Sequence, residues 1–167
     1  MRRKDREKND PVWLAETLTR ADACHLALFD GAWPYVISLN YGFELAENGR
    51  LGLWFHCARE GKKLELLATN PHAAFIIDTG HELVSGPKGC DWGMKYRSIA
   101  GRGILSTITD PALKKKGLDL IMAHHAGEGP LKEGLFTEGP FTYDERVFDF
   151  TTVLCLEVES FTGKEKA

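Results

Sequence analysis

Between residues 51 and 71 the sequence changes period, and that change limits the folds open to the chain. Leu51, Leu53 and Phe55 alternate as one buried face of a strand. Leu64, Leu67 and Ala68 then recur at helical spacing, until Asn70 and Pro71 stop the helix. The switch falls between His56 and Gly61, so a strand must feed a helix through a basic corner. A helix start carries unpaired N–H groups and partial positive charge, and Arg59, Lys62 and Lys63 add cations at that same end. Two lysines in a first turn oppose the helix dipole by on the order of several tenths of a kcal/mol. A bound phosphate would relieve this, and a solvated basic turn accounts for the charges equally well.

A chain of 167 residues with 43% hydrophobic and 27% charged residues is long and apolar enough to bury one core. The expected organisation is a charged, mobile start over residues 1–9 followed by a single domain over 10–167. A net charge of −3, with no basic stripe interleaved by aromatics, argues against nucleic acid as a partner. No apolar run is long enough for a membrane helix, and residues 1–8 lead into Asn9-Asp10-Pro11 and not into a signal-peptide core. The expected location is the cytoplasm. Cys24, Cys57, Cys90 and Cys155 form no C-x-x-C pair. His124 and His125 are helix neighbours that point about 100° apart. No metal site is expected.

Asp10-Pro11 predicts a helix N-cap followed by proline in the first turn, with Val12, Leu14, Ala15 and Leu18 on its apolar side and an end near Ala21. Residues 23–29 and 33–43, joined at Asp30-Gly31, read as a hairpin. In its second strand Tyr35, Ile37, Leu39 and Tyr41 alternate with Val36, Ser38 and Asn40. Residues 72–77 form the next strand, and Leu83-Val84 a brief further one. The loop over 85–93 carries Trp92. Residues 96–108 alternate as a strand in which Gly101 and Gly103 suit a bulge. Asp110-Pro111 repeats the helix-start signature, with Leu113, Leu118, Ile121 and Met122 expected on the buried side. Residues 129–143 are irregular, and 146–158 close the chain as a strand. Many antiparallel strands with helices at the margins give an α+β domain built on a β-barrel.

The string Phe55-His-Cys-Ala-Arg-Glu-Gly-Lys-Lys-Leu64, with Tyr96-Arg-Ser-Ile-Ala-Gly-Arg-Gly103 and Phe161-Thr-Gly-Lys-Glu165, resembles the nitroimidazole-resistance branch of the pyridoxamine 5'-phosphate oxidase-like family. The resemblance implies an antiparallel split β-barrel with flanking helices, forming a homodimer that binds FMN in a groove between subunits. By position, Lys62 and Lys63 match the residues holding the FMN phosphate. Ile37, Ser38, Leu39 and Asn40 match the strand bordering the flavin ring, and Tyr96, Arg97 and Ser98 the strand reaching the ring or its ribityl tail. His56 falls on the substrate side as a candidate proton donor, and Trp92 is a candidate for stacking there. Each has a plainer reading: a core strand for 37–40, a surface ion pair for Arg97, a hydrogen-bonded histidine for His56 and a barrel plug for Trp92. Cys57, beside His56, is expected on the opposite, packed face.

Two departures separate this chain from the true oxidases. Residues 34–40 lack the arginine those enzymes use on phosphate, and residues 157–167 lack their Arg-x-His. The implied activity is thus an FMN-dependent reductase passing electrons from a reduced nicotinamide to a nitro-aromatic or similar electrophile. With no G-x-G-x-x-G after a strand, NAD(P)H would be a transient donor. The alternative is a non-catalytic flavin or haem carrier or sensor, with His56 or His124 as an axial ligand.

Overall fold

The computed structural model describes residues 3–126 and 141–167, so the irregular stretch expected at 129–143 lies mostly outside the described residues. Strands β1 (Glu7–Lys8), β2 (Cys24–Asp30), β3 (Trp33–Leu39), β4 (Gly42–Leu45), β5 (Leu51–Ala58), β6 (His72–Val84), β7 (Gly93–Ile108) and β8 (Thr151–Lys166) form one sheet. Four helices flank it: α1 (Pro11–Arg20), α2 (Lys62–Thr69), α3 (Pro111–His125) and α4 (Glu145–Phe150). All pairings are antiparallel, in the order β3-β2-β6-β7-β8-β5-β4, with β1 added to β8.

β3 and β4 lie at opposite ends of this order, yet only residues 40 and 41 separate them in sequence. Three Cα–Cα steps reach at most about 11 Å, so the sheet must curl until its two edges nearly meet. They do not pair, and the result is an antiparallel split barrel, as expected. The sequence suggested one strand over 33–43; it divides because Asn40 and Tyr41 carry the chain across the open seam. Tyr41 is fully buried and its hydroxyl donates to the Leu18 carbonyl at 2.6 Å, while Asn40 donates to the Asp22 carbonyl at 3.2 Å. From the far side, the His124 Nδ1–H donates to the Tyr41 carbonyl at 2.6 Å.

The barrel interior holds Leu26 and Leu28 from β2, Phe75 and Ile77 from β6, Ile99 and Leu105 from β7, Leu154 and Leu156 from β8, and Leu53 and Phe55 from β5, packed with Trp13, Leu14 and Leu18 of α1. A smaller core under α3 joins Trp54, Leu118, Leu120, Ile121, Val153 and Cys155. Both long helices start as the sequence predicts: Asp10 accepts from the Trp13 N–H and Asp110 from the Leu113 N–H, each at 2.8 Å with proline in the first turn. α3 buries Leu118 and Ile121, but Leu113 and Met122 are exposed, and Leu120, Ala123 and His124 take their place.

Two other expectations are corrected. Residues 72–84 form one strand, because Gly80 at φ +68° absorbs an irregularity between Thr79 and Glu82 without ending the pairing with β7. The strand expected over 146–158 begins only at Thr151, and residues 145–150 are helical: Asp144 accepts from the Arg146 and Val147 N–H groups and starts a short helix ahead of it. At the charged start, Glu7 and Lys8 pair with Lys164 and Gly163. The anticipated bulge in β7 is present as a register shift between Arg102 and Gly103, where Gly103 packs against the Glu157 carbonyl too closely for a Cβ.

Glu165 ties these ends together. Its carboxylate accepts from Arg97 at 2.8 Å and from the Trp13 indole at 3.1 Å, and pairs with Lys8 at 3.1 Å. Burial alone would raise its pKa, but the hydrogen bonds from Lys8 and Arg97 together outweigh that and hold it below the ordinary glutamate value. A depressed carboxylate contributes stability above its unfolded pKa of about 4.3 and loses it as pH falls through the lower folded value. Glu165→Gln is therefore expected to lower stability at pH 7, with the gap to wild type closing below about pH 4. Urea denaturation across pH checks this, and a gap constant with pH would remove Glu165 as the source.

Candidate functional site

β5 ends at Ala58, residues 59–61 turn, and α2 begins at Lys62. Along β5 the inward residues Leu51, Leu53 and Phe55 are buried, so Trp54 and His56 face outward, Trp54 beneath α3 and His56 beyond its cover. The turn closes on Gly61 at φ +132°, a region open to glycine, and no side chain caps the helix start.

The two lysines of that start are treated differently by the fold. Lys62 reaches back to form an ion pair with Asp30 at the end of β2, whose hydrogen bond and charge raise its pKa. Lys63, 100° further round, is only 7% exposed and has no carboxylate within 4.0 Å among the described residues. Withdrawing an ammonium from water without a counter-charge costs several kcal/mol, by order of magnitude. Its charge acts on two neighbours. The His56 pKa lies below the usual histidine value, first through burial and then through Lys63. Burial raises the Cys57 thiol pKa and Lys63 only partly offsets it, so the thiol stays protonated and packs against the barrel core, on the face opposite His56 as expected.

The remaining candidates form a second group. Ser38 faces outward on β3, its Oγ 2.8 Å from His25 Nδ1, while Ile37 and Leu39 turn half-buried toward the core. Ser98 stands opposite Asp78 on β6 and Lys164 on β8. Register carries Ser38 through His25 and Ile76 to Ala100, two residues from Ser98, so Ser38, Asn40 and Ser98 share one end of the sheet. Asp30, which holds Lys62, lies five residues along β2 from His25, roughly 17 Å away. Arg97 is occupied within the fold, paired with Glu165 at 2.8 Å and Glu16 at 3.1 Å over the Trp13 ring. The Tyr96 ring carries Lys164 at 5.3 Å.

Trp92 is not brought to His56. It precedes the Gly93 end of β7 and bonds its own loop through the Gly86 carbonyl at 2.7 Å, whereas His56 aligns through Val153 with Ile108 at the other end. What surrounds His56 instead is a pocket of about 170 Å³ lined by Leu118, Ile121, Met122, Tyr143, Val147, Phe148 and Thr151. Sequence reasoning missed this wall because it read α4 as a strand; Asp144, as an N-cap before an apolar stretch, was the available signal.

The sequence profile of the pyridoxamine 5'-phosphate oxidase family matches residues 14–165, and the chain belongs to that family. Among solved structures, it is similar to a candidate 5-nitroimidazole antibiotic resistance protein from Bacteroides thetaiotaomicron VPI-5482, with 28% identity over 95% of this chain and 86% of that one, at a TM-score of 0.74. This bears out the resemblance to the nitroimidazole-resistance branch. The flavocytochrome Anf3 from Azotobacter vinelandii (17% identity, 100% of this chain and 72% of that one, TM-score 0.77) shares the fold. So does an FAD and haem binding protein from Mycobacterium smegmatis (19% identity, 96% and 73%, TM-score 0.75). No curated protein matches the chain. Among the described residues, no helix is long and apolar enough to cross a membrane.

The His56 environment has a direct readout. Its NMR titration midpoint is expected below about 6.5, and Lys63→Met should move it upward by removing the nearby charge while burial remains. A wild-type midpoint at or above the model-peptide value would contradict the geometry.

Proposed function

We propose that the protein is an FMN-dependent reductase acting as a homodimer, taking electrons from NAD(P)H and passing them to a nitro-aromatic or similar small electrophile. The observation that carries the cofactor assignment is the buried Lys63, with no carboxylate within 4.0 Å among the described residues, at an uncapped helix start. A phosphate dianion fits the chemistry of that donor set: α2 N–H groups, the Lys63 ammonium, Lys62 once shared with Asp30, and Arg59 from the turn. Gly61 leaves open space where a side chain would stand. These groups act in place of the arginine absent from residues 34–40. The outward face of β3, with Ser38, would border the ring.

Bound flavin supplies a two-electron relay between donor and acceptor. Overall, NAD(P)H gives a hydride, and the nitro group takes two electrons and two protons, breaking one N–O bond to give a nitroso compound and water. His56, at the strand exit, would hold a proton toward the acceptor oxygen. Neutral imidazole can carry that proton on one ring nitrogen at neutral pH. Oxidation of pyridoxamine phosphate is not proposed, because the Arg-x-His of the true oxidases is missing.

The similarity to the Bacteroides protein at 28% identity supports the nitro-aromatic reading. A carrier or sensor role is the second reading, motivated by the haem-binding structures that share the fold. His124 offers it little support: it is 6% exposed, wedged 4.6 Å from the Tyr41 ring and 5.8 Å from that of Phe43, and bonded to the Tyr41 carbonyl.

The homodimer rests on an apolar outer face. Phe29 and Val36 are each 60% exposed there, beside Ile76 and the alanines Ala27 and Ala74, with Trp33 at the hairpin end. Such a continuous patch is unusual for a monomer. Sedimentation equilibrium is expected to give a dimer at micromolar concentration and a monomer for Val36→Glu; a wild-type monomer retaining FMN would refute this.

Replacing Lys62 and Lys63 together by alanine should weaken FMN binding by charge-assisted bonds worth roughly 1.5–3 kcal/mol each. Flavin fluorescence titration measures it. An unchanged dissociation constant would return both lysines to a plain basic turn.

A further inference from the structure

We infer that the outer face of the barrel carries a further binding site, a cleft of about 400 Å³ over Gly52 and Trp54, and that it takes a small organic cation whose ammonium stands beside an amide carbonyl. The cleft lies at the end of β5 remote from the basic corner, so its ligand is independent of the cofactor assignment.

An unmet donor marks the site. The Trp54 side chain is 5% exposed beneath α3, and its Nε1–H has no hydrogen-bond partner, alone among the buried side-chain polar atoms of the described residues. A buried donor without an acceptor costs free energy, and nearly all such groups in folded proteins find one. The indole forms one wall of the cleft.

Gly52, on the floor, is a glycine with no backbone reason. Glycine weakens a strand interior, and it is kept there for a bulge, a bend or the close approach of a ligand or another backbone. Among the described strand glycines, Gly80 has a positive φ, and Gly42, Gly93, Gly101, Gly103 and Gly163 stand too close to neighbouring atoms for a Cβ. Gly52 has neither constraint, and β5 pairs with β4 and β8 around it without a register shift. A Cβ there would meet only Trp54 Nε1 at 3.5 Å and Cys155 Sγ at 3.9 Å, both ordinary contacts. The space left by the missing side chain thus adjoins the unmet N–H, and an acceptor oxygen entering over Gly52 can take that hydrogen bond.

Charge selects the rest of the ligand. Register sets Glu44 and Glu157 on either side of Gly52, each one strand spacing of about 5 Å away, with Arg50 and Glu159 further along the cleft. Glu44 is neutralised by Lys116 at 2.8 and 2.9 Å. Burial, helped by Glu157 and Glu44, pushes the Cys155 thiol up to about 12, so it stays protonated and adds no charge. Glu157 and Glu159 have no ion-pair partner within 4.0 Å among the described residues, and they outnumber the one guanidinium, Arg50. These groups complement an ammonium next to the carbonyl that meets Trp54. The volume lies within the roughly 300–1,000 Å³ of small-molecule clefts, so the ligand carries more than this head group.

The test follows the indole N–H resonances of the isotope-labelled full chain while glycinamide, acetamide or oxamate is added. The three share an amide and are a cation, a neutral molecule and an anion. Trp54→Phe identifies the Trp54 resonance. Glycinamide is expected to shift that resonance downfield and to bind at least about tenfold more tightly than acetamide, with oxamate weakest. Gly52→Ala, which sets a methyl against Nε1, should abolish the shift with all three while the melting temperature holds or rises. Glu157→Gln/Glu159→Gln should keep the shift and narrow the ratio of glycinamide to oxamate by at least about tenfold. A Trp54 resonance that none of the three moves overturns the inference, as do equal affinities for glycinamide and oxamate, or glycinamide binding that Gly52→Ala leaves intact. Where Gly52→Ala melts early, the double glutamate variant decides alone, and an unchanged ratio there overturns the site.

Discussion

A two-residue bridge governs this fold. Asn40 and Tyr41 join strands that lie at opposite edges of the sheet, and so short a link forces the sheet to roll up. The bridge is held from three directions: the Tyr41 hydroxyl on α1, the Asn40 amide on the segment after α1, and His124 of α3 on the Tyr41 carbonyl. With the seam fixed, α3 must lie across the outside of β4 and β5. Gly42 permits that contact, since a Cβ there would stand 2.5 Å from the backbone of Leu120 and Ile121. Trp54 is buried by the same helix, and the next outward residue on β5, His56, emerges at its margin.

Two unfavourable features meet where β5 leaves the barrel. A helix begins without a side-chain cap, and an ammonium is buried with no carboxylate within 4.0 Å among the described residues. Both features suit the same kind of ligand, an oxyanion. The lowered pKa of the imidazole beside them follows first from partial burial and then from the same lysine. Arg97, by contrast, is spent on holding α1, β7 and β8 together through Glu16 and Glu165, and its contribution is to architecture.

Much of this was legible in the sequence where one signal acted alone. The Asp-Pro starts at residues 10 and 110 and the change of period after Phe55 each have a local cause, and the structure keeps them. What could not be read depended on pairing between distant residues. Residues 33–43 look like one apolar strand because the division at Asn40 is imposed by which neighbours each half finds. Arg146 to Phe150 run without a break into the apolar strand that follows, but the Asp144 cap decides the local conformation. Lys62 and Lys63 are equivalent in composition, and only helix geometry separates them, turning one toward Asp30 and the other under the corner. The pocket beside His56 needs α3 and α4 together, so no single stretch announces it.

β8 lies between β7 and β5, and its far end also carries β1. Without it the described strands separate into a four-stranded group, β3-β2-β6-β7, and a hairpin, β4-β5. The strand that joins the two is the last of them in the chain. During synthesis both partial sheets therefore wait with open edges, and the core between them is closed only when residues 151–166 arrive. Pairings this distant in sequence are slow to form, and exposed edges recruit other chains meanwhile. The same central strand that makes the finished barrel secure leaves the nascent one dependent on protection until residues 151–166 have been made.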